Sequence, residues 1–338
     1  METVAVRTIR FWTSHNNRDG EAWRRRLYLP EGFRLVFDED APDYLFASEH
    51  LYADPARMRR FFALNDGRRV VVYHNGEAVF PDMNLFDYAY VFDRDASLGD
   101  RLCRIPADIY FDVDERFGPR EAVDPAEELA RKTGFCNFIY GNPHAHPRRD
   151  QLFRLLNGWK RVDALGAHLN NCGNRPTRTD GDWHRKLVAE KRPYKFTIAA
   201  ENACYPGYVT EKLCSSFRAH SVPIYWGDPT VAEEFNPEAF INANGLTDEE
   251  VLAAVKRVDG DNALWKRMVA APHKTEAQRR QAAADFERLK AFSLRLFDER
   301  PPEAKKRAPA GYWNGIYRRA VERQFAERPR RGFLGLFR

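Results

Sequence analysis

Residues 194–213, YKFTIAAENACYPGYVTEKL, hold the densest set of groups suited to binding an anion. An apolar run ends at Glu201-Asn202, an irregular turn containing Pro206-Gly207 follows, and Thr210-Glu211-Lys212 opens a helical pattern. In an open parallel sheet, ligands lie beyond the carboxyl ends of the strands. There the following helix presents free N–H groups and a positive dipole suited to phosphate. Lys212 adds a point charge, and Glu211 is suited to accept hydrogen bonds from ribose hydroxyls. The same residues also fit an ordinary capped helix with a solvated Glu-Lys pair, which spacing alone favours. Arg148-Arg149 is the second place where cations meet a helix start. Arginine there opposes the helix dipole, which favours a functional reason over a solvated helix end. Arg149 is able to grip a phosphate with two parallel hydrogen bonds. The chain contains neither GxGxxG nor GxxxxGKS/T, so a diphosphate needs cationic side chains in their place.

The elements that must position these groups alternate. Val4–Trp12, Phe33–Asp38, Tyr44–Ala47, Val70–Tyr73 and Tyr88–Phe92 read as strands, with helices at Glu21–Leu29 and, capped by Asp54, from Pro55. Residues 119–133 are polar and acidic and read as a linker. The alternation restarts with a strand at Gly134–Tyr140 and a helix at Pro147–Trp159. Phe196–Ala200 then leads to a helix from Glu211. Val222–Trp226 leads to a helix at Pro229 capped by Asp228, and Phe240–Asn242 to a helix opened by a Thr247/Glu250 capping box. Strands alternating with helices predict parallel sheets, here two consecutive α/β domains facing one cleft.

The 338 residues carry 54 Lys+Arg against 49 Asp+Glu, a net of +5, with 43% apolar and 30% charged residues. That balance excludes a disordered, collagenous or polytopic membrane protein. Ten Lys/Arg and three Asp/Glu lie in residues 301–338, so the tail carries the whole excess and the first 300 residues stand at −2. The totals give no basic face for nucleic acid, and none is expected as a partner. METVAVRTIRFW has no apolar core followed by a small-residue cleavage site, so no secretory leader is expected. Five cysteines without a CxxC pair suit a reducing cytosol and offer no zinc set.

The run at 194–213, continued by SVPIYWGDPTVAEEFNPEAFIN, closely resembles the donor-binding signature of the α1,3/4-fucosyltransferases of glycosyltransferase family 10, bacterial type. VVVYHNGE…NLFDYAYVFD resembles that family's acceptor-side segment, with Glu77 seven residues before NLFDY. FIYGNPHAHPRRDQLFRLL resembles its Asn-Pro segment, with Arg149 aligning best. The resemblance spans roughly residues 69–245. It implies a GT-B fold, with the acceptor site in the first Rossmann-like domain and the nucleotide sugar in the second; the residue pattern places these domains at 1–133 and 134–300 and adds a basic amphipathic tail helix at 301–338. It also implies GDP-fucose as donor, inversion at the anomeric carbon, an oligosaccharide acceptor, no tightly bound cofactor and no obligatory metal. On the matching positions, Glu77 is the general base. Arg149 and Lys212 neutralise the departing diphosphate, while Glu201, Asn202, Tyr208 and Glu211 hold ribose, fucose or base. One carboxylate accepting the acceptor proton contributes about 10²–10⁴-fold in rate, and cations replace a general acid for a leaving group of low pKa.

The chain departs from the family in places. Ala200 stands where relatives commonly have Phe, which opens room for another nucleotide sugar. AVFPD follows Glu77, leaving acceptor choice open, and Arg175, Arg178 or Arg185 are able to share the phosphate role. His144 and His146 lack a third ligand at useful spacing, and the DxD triplets at Asp93 and Asp112 are near chance for a chain with 49 acids. In the tail, Ile316, Tyr317, Ala320, Val321 and Phe325 share one helical side among arginines. That pattern suits either an anionic inner membrane surface or packing on the first domain. A non-catalytic glycan- or membrane-binding protein built around the tail is the reading from another class. The expected location is cytoplasmic, with residues 315–338 at the membrane periphery.

Overall fold

The computed structural model describes residues 6–65, 68–106, 109, 120–173 and 183–298, and in the tail 316, 319, 320 and 322–324. The contacts form two compact units, one of residues up to Ile105 together with those from Ala284 onward, the other Pro106–Ala283.

The first unit is a six-stranded parallel sheet of β1 (Arg7–Thr13), β2 (Phe33–Phe37), β3 (Tyr44–Ala47), β4 (Val70–His74), β5 (Tyr88–Val91) and β6 (Leu102–Arg104). Their order is β2-β1-β3-β4-β5-β6. The chain winds outward from β1 to β2 and then returns to the other side of β1. The winding therefore reverses between β1 and β3. Helices α1 (Gly20–Arg26), α2 (His50–Ala53) and α3 (Pro55–Leu64) connect the early strands. Asp54 caps α3 by accepting from Ala56 and Arg57 N–H, as Asp-Pro predicts. Met58, Phe61 and Phe62 of α3 pack with Leu45, Val71 and Tyr73 of the sheet.

The second unit is a five-stranded parallel sheet of β7 (Gly134–Phe138), β8 (Val162–Ala164), β9 (Tyr194–Ala200), β10 (Val222–Trp226) and β11 (Ile241–Asn242). Its order, β11-β10-β9-β7-β8, repeats the same winding with the reversal between β7 and β9. Its helices are α4 (Pro125–Ala130), α5 (Arg148–Trp159), α6 (Trp183–Lys191), α7 (Glu211–Arg218), α8 (Asp248–Gly260) and α9 (Asn262–Ala270). Leu152, Phe153 and Leu156 of α5 belong to one apolar cluster and Leu213, Cys214 and Phe217 of α7 to another, so the two helices cover opposite faces. The capping box at Thr247 and Glu250 is present at the start of α8.

The structure differs from the sequence expectations at three points. The expected linker contains α4, capped by Asp124, whose fully buried Glu128 pairs with Lys132 at 3.0 Å and Arg192 at 3.2 Å. Burial opposes the Glu128 charge, but these two cations hold its pKa below the ordinary value. The helix expected at Pro229 is a single 3₁₀ turn at Val231–Glu233; Asp228 does accept from Thr230 N–H, but Pro237 soon begins another short turn. The boundary expected near 300 falls earlier, inside the long helix α10 (Glu276–Asp298). From Ala284 onward it belongs to the first unit. Leu289, Phe292, Leu296 and Phe297 recur on one side of it and are buried, with Phe297 against Tyr44 at 5.0 Å and Ser293 hydrogen-bonded to Tyr90 at 2.7 Å. No described helix is long and apolar enough to cross a membrane. The expected tail helix lies largely outside the described residues, as do Arg175, Arg178 and the triplet at Asp112.

Candidate functional site

The carboxyl ends of β7 and β9 diverge because their following helices leave to opposite faces of the sheet. Such a reversal point is where open α/β sheets hold ligands. Tyr140, just past β7, ties the two strand ends together. Its hydroxyl donates to the Ile198 carbonyl at 2.9 Å and accepts from Ala200 N–H at 2.8 Å. Over its ring, 4.5 Å from the centroid, lies the guanidinium of Arg149 from the first turn of α5.

Arg149 is 1% exposed. Its Nη1 donates to Asn202 Oδ1 at 3.3 Å across the reversal point, and its Nη2 to the Asn142 carbonyl. Among the described residues its Nε has no hydrogen-bond partner, and the Asp150 carboxylate stands 3.9 Å away. Asp150 is engaged with His168 at 2.9 Å. Burial lowers the Arg149 pKa, opposed by Tyr140 and Asp150. A guanidinium remains charged under such a shift. The arrangement is therefore a buried cation with an unfilled donor.

The chain after β9 is anchored by Glu201. That residue is fully buried, and its carboxylate accepts from Thr210 N–H and Thr210 Oγ1, both at 2.7 Å, and from Lys212 Nζ at 3.0 Å. Gly227 packs directly behind it; a Cβ there would lie 2.5 Å from Glu201 Cγ. Because Thr210 spends its hydroxyl on Glu201, it gives no side-chain cap to α7, and α5 also starts without one. Lys212 is 16% exposed, with Glu211 Oε1 at 3.5 Å. Burial disfavours the ammonium, but Glu201 and Glu211 raise its pKa above the ordinary range. Burial likewise opposes the Glu211 charge, and Lys212 lowers its pKa.

Arg149, Asn202, Glu201, Glu211 and Lys212 thus come together at the β7/β9 reversal. Two of the expected donor residues are fully or almost fully buried. Glu201 holds α7 and Lys212 in place from beneath, with no exposed surface, and Tyr208 is 1% exposed. Glu77 sits in the first unit, exposed in the turn after β4. Its N–H donates to Asn75 Oδ1 at 3.2 Å, and the preceding Gly76 N–H donates to Glu49 Oε2 at 3.1 Å. Arg185 lies in α6.

Sequence reasoning missed three residues. Tyr140 was legible as the residue at a strand's carboxyl end. Lys191 was not, because α6 gave no strong pattern. It is 4% exposed, and its Nζ donates to Ser215 Oγ at 2.6 Å and to the Lys212 carbonyl at 3.3 Å, beneath the start of α7. His146 joins the site by its backbone N–H, which donates to the Asn202 carbonyl at 2.8 Å, while its ring lies 4.6 Å from Trp226. No group of three or more His, Cys, Asp or Glu suited to a metal occurs among the described residues.

Two parallel-sheet units wound alike, one with paired cations at its reversal point, define a GT-B fold. Crystal structures of an α1,3-fucosyltransferase share it: the form with GDP superposes with a TM-score of 0.65 at 20% identity, covering 86% of this chain and 92% of that one. The form with GDP-fucose gives a TM-score of 0.63 at 21% identity over the same shares. By sequence, residues 129–288 match the model described as glycosyltransferase family 10 (fucosyltransferase) C-term. An α-(1,3)-fucosyltransferase of Helicobacter pylori is 30% identical over 233 residues, covering 57% of this chain and 46% of that protein. A putative fucosyltransferase of Acanthamoeba polyphaga mimivirus is 32% identical over 158 residues, covering 45% of this chain and 26% of that protein. The chain therefore spans less than half the length of these relatives.

Proposed function

We propose that the chain is an inverting fucosyltransferase that moves fucose from GDP-fucose to a hydroxyl of a GlcNAc- or Glc-containing glycan, through an α1,3 or α1,4 linkage. The observation that carries this reading is Arg149, a buried guanidinium whose Nε has no partner among the described residues, at the reversal point of the segment that matches the family 10 model. In the proposed reaction, Glu77 takes the proton of the acceptor hydroxyl, whose oxygen attacks the anomeric carbon. The bond to the diphosphate breaks, and GDP leaves with the electron pair. Arg149 and Lys212 stabilise the charge that develops on it, so no general acid is required. Asn202 and Glu211 are assigned to the donor's sugar and ribose hydroxyls. The basic segment 315–338 is assigned to an anionic membrane surface on the cytoplasmic side, which liposome sedimentation with and without that segment tests.

The deciding assay is release of GDP from GDP-fucose with N-acetyllactosamine, lacto-N-biose or lactose as acceptor. A folded protein that neither binds GDP nor turns over any of the three refutes the reading. Glu77→Gln is expected to cut turnover by about 10²–10⁴-fold and to leave GDP affinity intact. Loss of GDP affinity in that variant would remove Glu77 from the base role. A thermal-shift panel of GDP, UDP and ADP checks the nucleotide; stabilisation by UDP alone would replace the donor.

A further inference from the structure

The first sheet has the same winding as the second, with its reversal between β1 and β3. At the carboxyl ends of these strands lies a cavity of about 480 Å3. Its walls include His15, Asn16 and Arg18 after β1, Glu39 after β2, and Arg57 and Arg60 of α3. Both its size, within the roughly 300–1,000 Å3 of small-ligand sites, and its place are those of a binding site. All of it belongs to one unit.

The chemistry of the walls selects the ligand. Each guanidinium already has a carboxylate: Arg57 with Asp54 at 3.1 Å, Arg60 with Asp40 at 3.0 Å, Arg18 with Glu39 at 3.8 Å. His15 is neutral near pH 7, since burial and then Arg26 push its imidazole down to about 4, and its Nδ1 accepts from Asn17 N–H at 3.1 Å. No uncompensated cation remains among these groups to draw in a phosphate or carboxylate. Guanidinium donors and the carboxylates of Glu39 and Asp54 line the same cavity, a mixture that hydroxyl groups, each both donor and acceptor, satisfy.

The cavity is also linked to the turn that carries Glu77. Ser48 N–H donates to Ser14 Oγ at 3.1 Å, joining the ends of β1 and β3, and Glu49 Oε2 accepts from Gly76 N–H at 3.1 Å, joining β3 to β4. β1 and β4 flank β3, so the two places stand two strand spacings apart, roughly 10 Å. One sugar ring does not cover that span, whereas a chain of sugars does.

We propose that the β1/β3 crevice is a subsite for a neutral, hydroxyl-rich sugar of an oligosaccharide acceptor, remote from the hydroxyl that receives fucose. This rests on the reading of Glu77 as the acceptor-side base. The test compares N-acetyllactosamine with its tetrasaccharide dimer in wild type, Asn16→Ala and Arg60→Ala. Binding is followed by saturation-transfer NMR without donor, and KM by GDP release. Wild type is expected to favour the tetrasaccharide about tenfold, and each variant to lose that preference. Both side chains lie at the surface, and unchanged melting confirms the fold. Equal affinity of wild type for the two glycans, or variants that keep the tenfold preference, would overturn the proposal. So would protection by inorganic phosphate that depends on Arg60, because the crevice would then be an anion site. If no GDP is released with any acceptor, the transfer reading fails while the NMR titration still decides the subsite.

Discussion

Arg149→Met separates the binding role of this arginine from any role in stability. At 1% exposure the guanidinium has lost nearly all its hydration, and the hydrogen bonds that replace it leave Nε unfilled. Replacing such a buried charge by an apolar side chain of similar length is often neutral or stabilising by about 1–4 kcal/mol. The usual counter-cost, orphaned partners, is small here. Asn142 is exposed, Asn202 is half-buried, and Asp150 keeps His168 at 2.9 Å. Each hydrogen bond from a charged group to a diphosphate is worth about 1.5–3 kcal/mol, so losing even one weakens GDP by about tenfold to a hundredfold. The expected outcome is a melting temperature equal to or above wild type without nucleotide, and a much smaller rise on adding GDP. At 100 times the wild-type Kd, GDP adds about 2.7 kcal/mol to wild type, and nearly all of that disappears if affinity falls a hundredfold. Calorimetry with and without GDP, and direct titration, read both effects. A variant that melts well below wild type yet binds GDP equally would show that Arg149 serves the fold, and the assignment of the crevice would fall with it.

Gly227→Ala is expected to destabilise by about 1–3 kcal/mol and to weaken GDP, because the new Cβ would sit 2.5 Å from Glu201 Cγ and dislodge the carboxylate that holds Thr210 and Lys212; calorimetry that shows no loss would refute that packing. Glu49→Ala is expected to lower turnover about tenfold at unchanged GDP affinity, since Glu49 holds the Gly76 N–H beside Glu77, and Glu49→Gln to recover most of it in steady-state kinetics. Lys191 has its pKa lowered by burial to about 7, so between pH 7 and 10.5 the unfolded chain binds the extra proton and stability rises with pH. Lys191→Met is expected to remove that slope, up to about 1.4 kcal/mol per pH unit, with its advantage over wild type largest at pH 7 and below in denaturant titrations.

The elements whose local chemistry decides them were legible in the sequence. Asp54-Pro55 and the Thr247/Glu250 box start helices where they should, and the apolar run before Glu201 is a strand. The Asp124-Pro125 signature carries the same information, yet it lies in an acidic stretch whose stability comes from Glu128 meeting Arg192, a residue far along the chain. Periodicity likewise shows that α10 has an apolar side at Leu289–Phe297 but not which sheet covers it. In the site, the cations could be found because an arginine or lysine in a first helical turn is locally unfavourable. Whether a carboxylate faces a ligand or the interior is a tertiary matter. Glu201 and Glu211 are both acids in the motif, and only the first is fully buried.

The missing glycine-rich cradle bears on how the crevice handles charge. A glycine loop presents backbone N–H groups and needs no cation, whereas here α5 and α7 each begin without a side-chain cap and place a cation in the first turn. The helix dipole penalises each by about 0.3–1 kcal/mol. In both cases an acid sits next to the cation, Asp150 beside Arg149 and Glu211 beside Lys212, and offsets the penalty. Lys212 has a second carboxylate, Glu201, at 3.0 Å; among the described residues the carboxylate that pairs with Arg149 is Asp150, at 3.9 Å. The two cations are therefore unequal before any ligand arrives. Lys212 is held in a satisfied network and contributes mainly charge, while Arg149 keeps a donor in reserve, so the larger share of diphosphate affinity falls to Arg149.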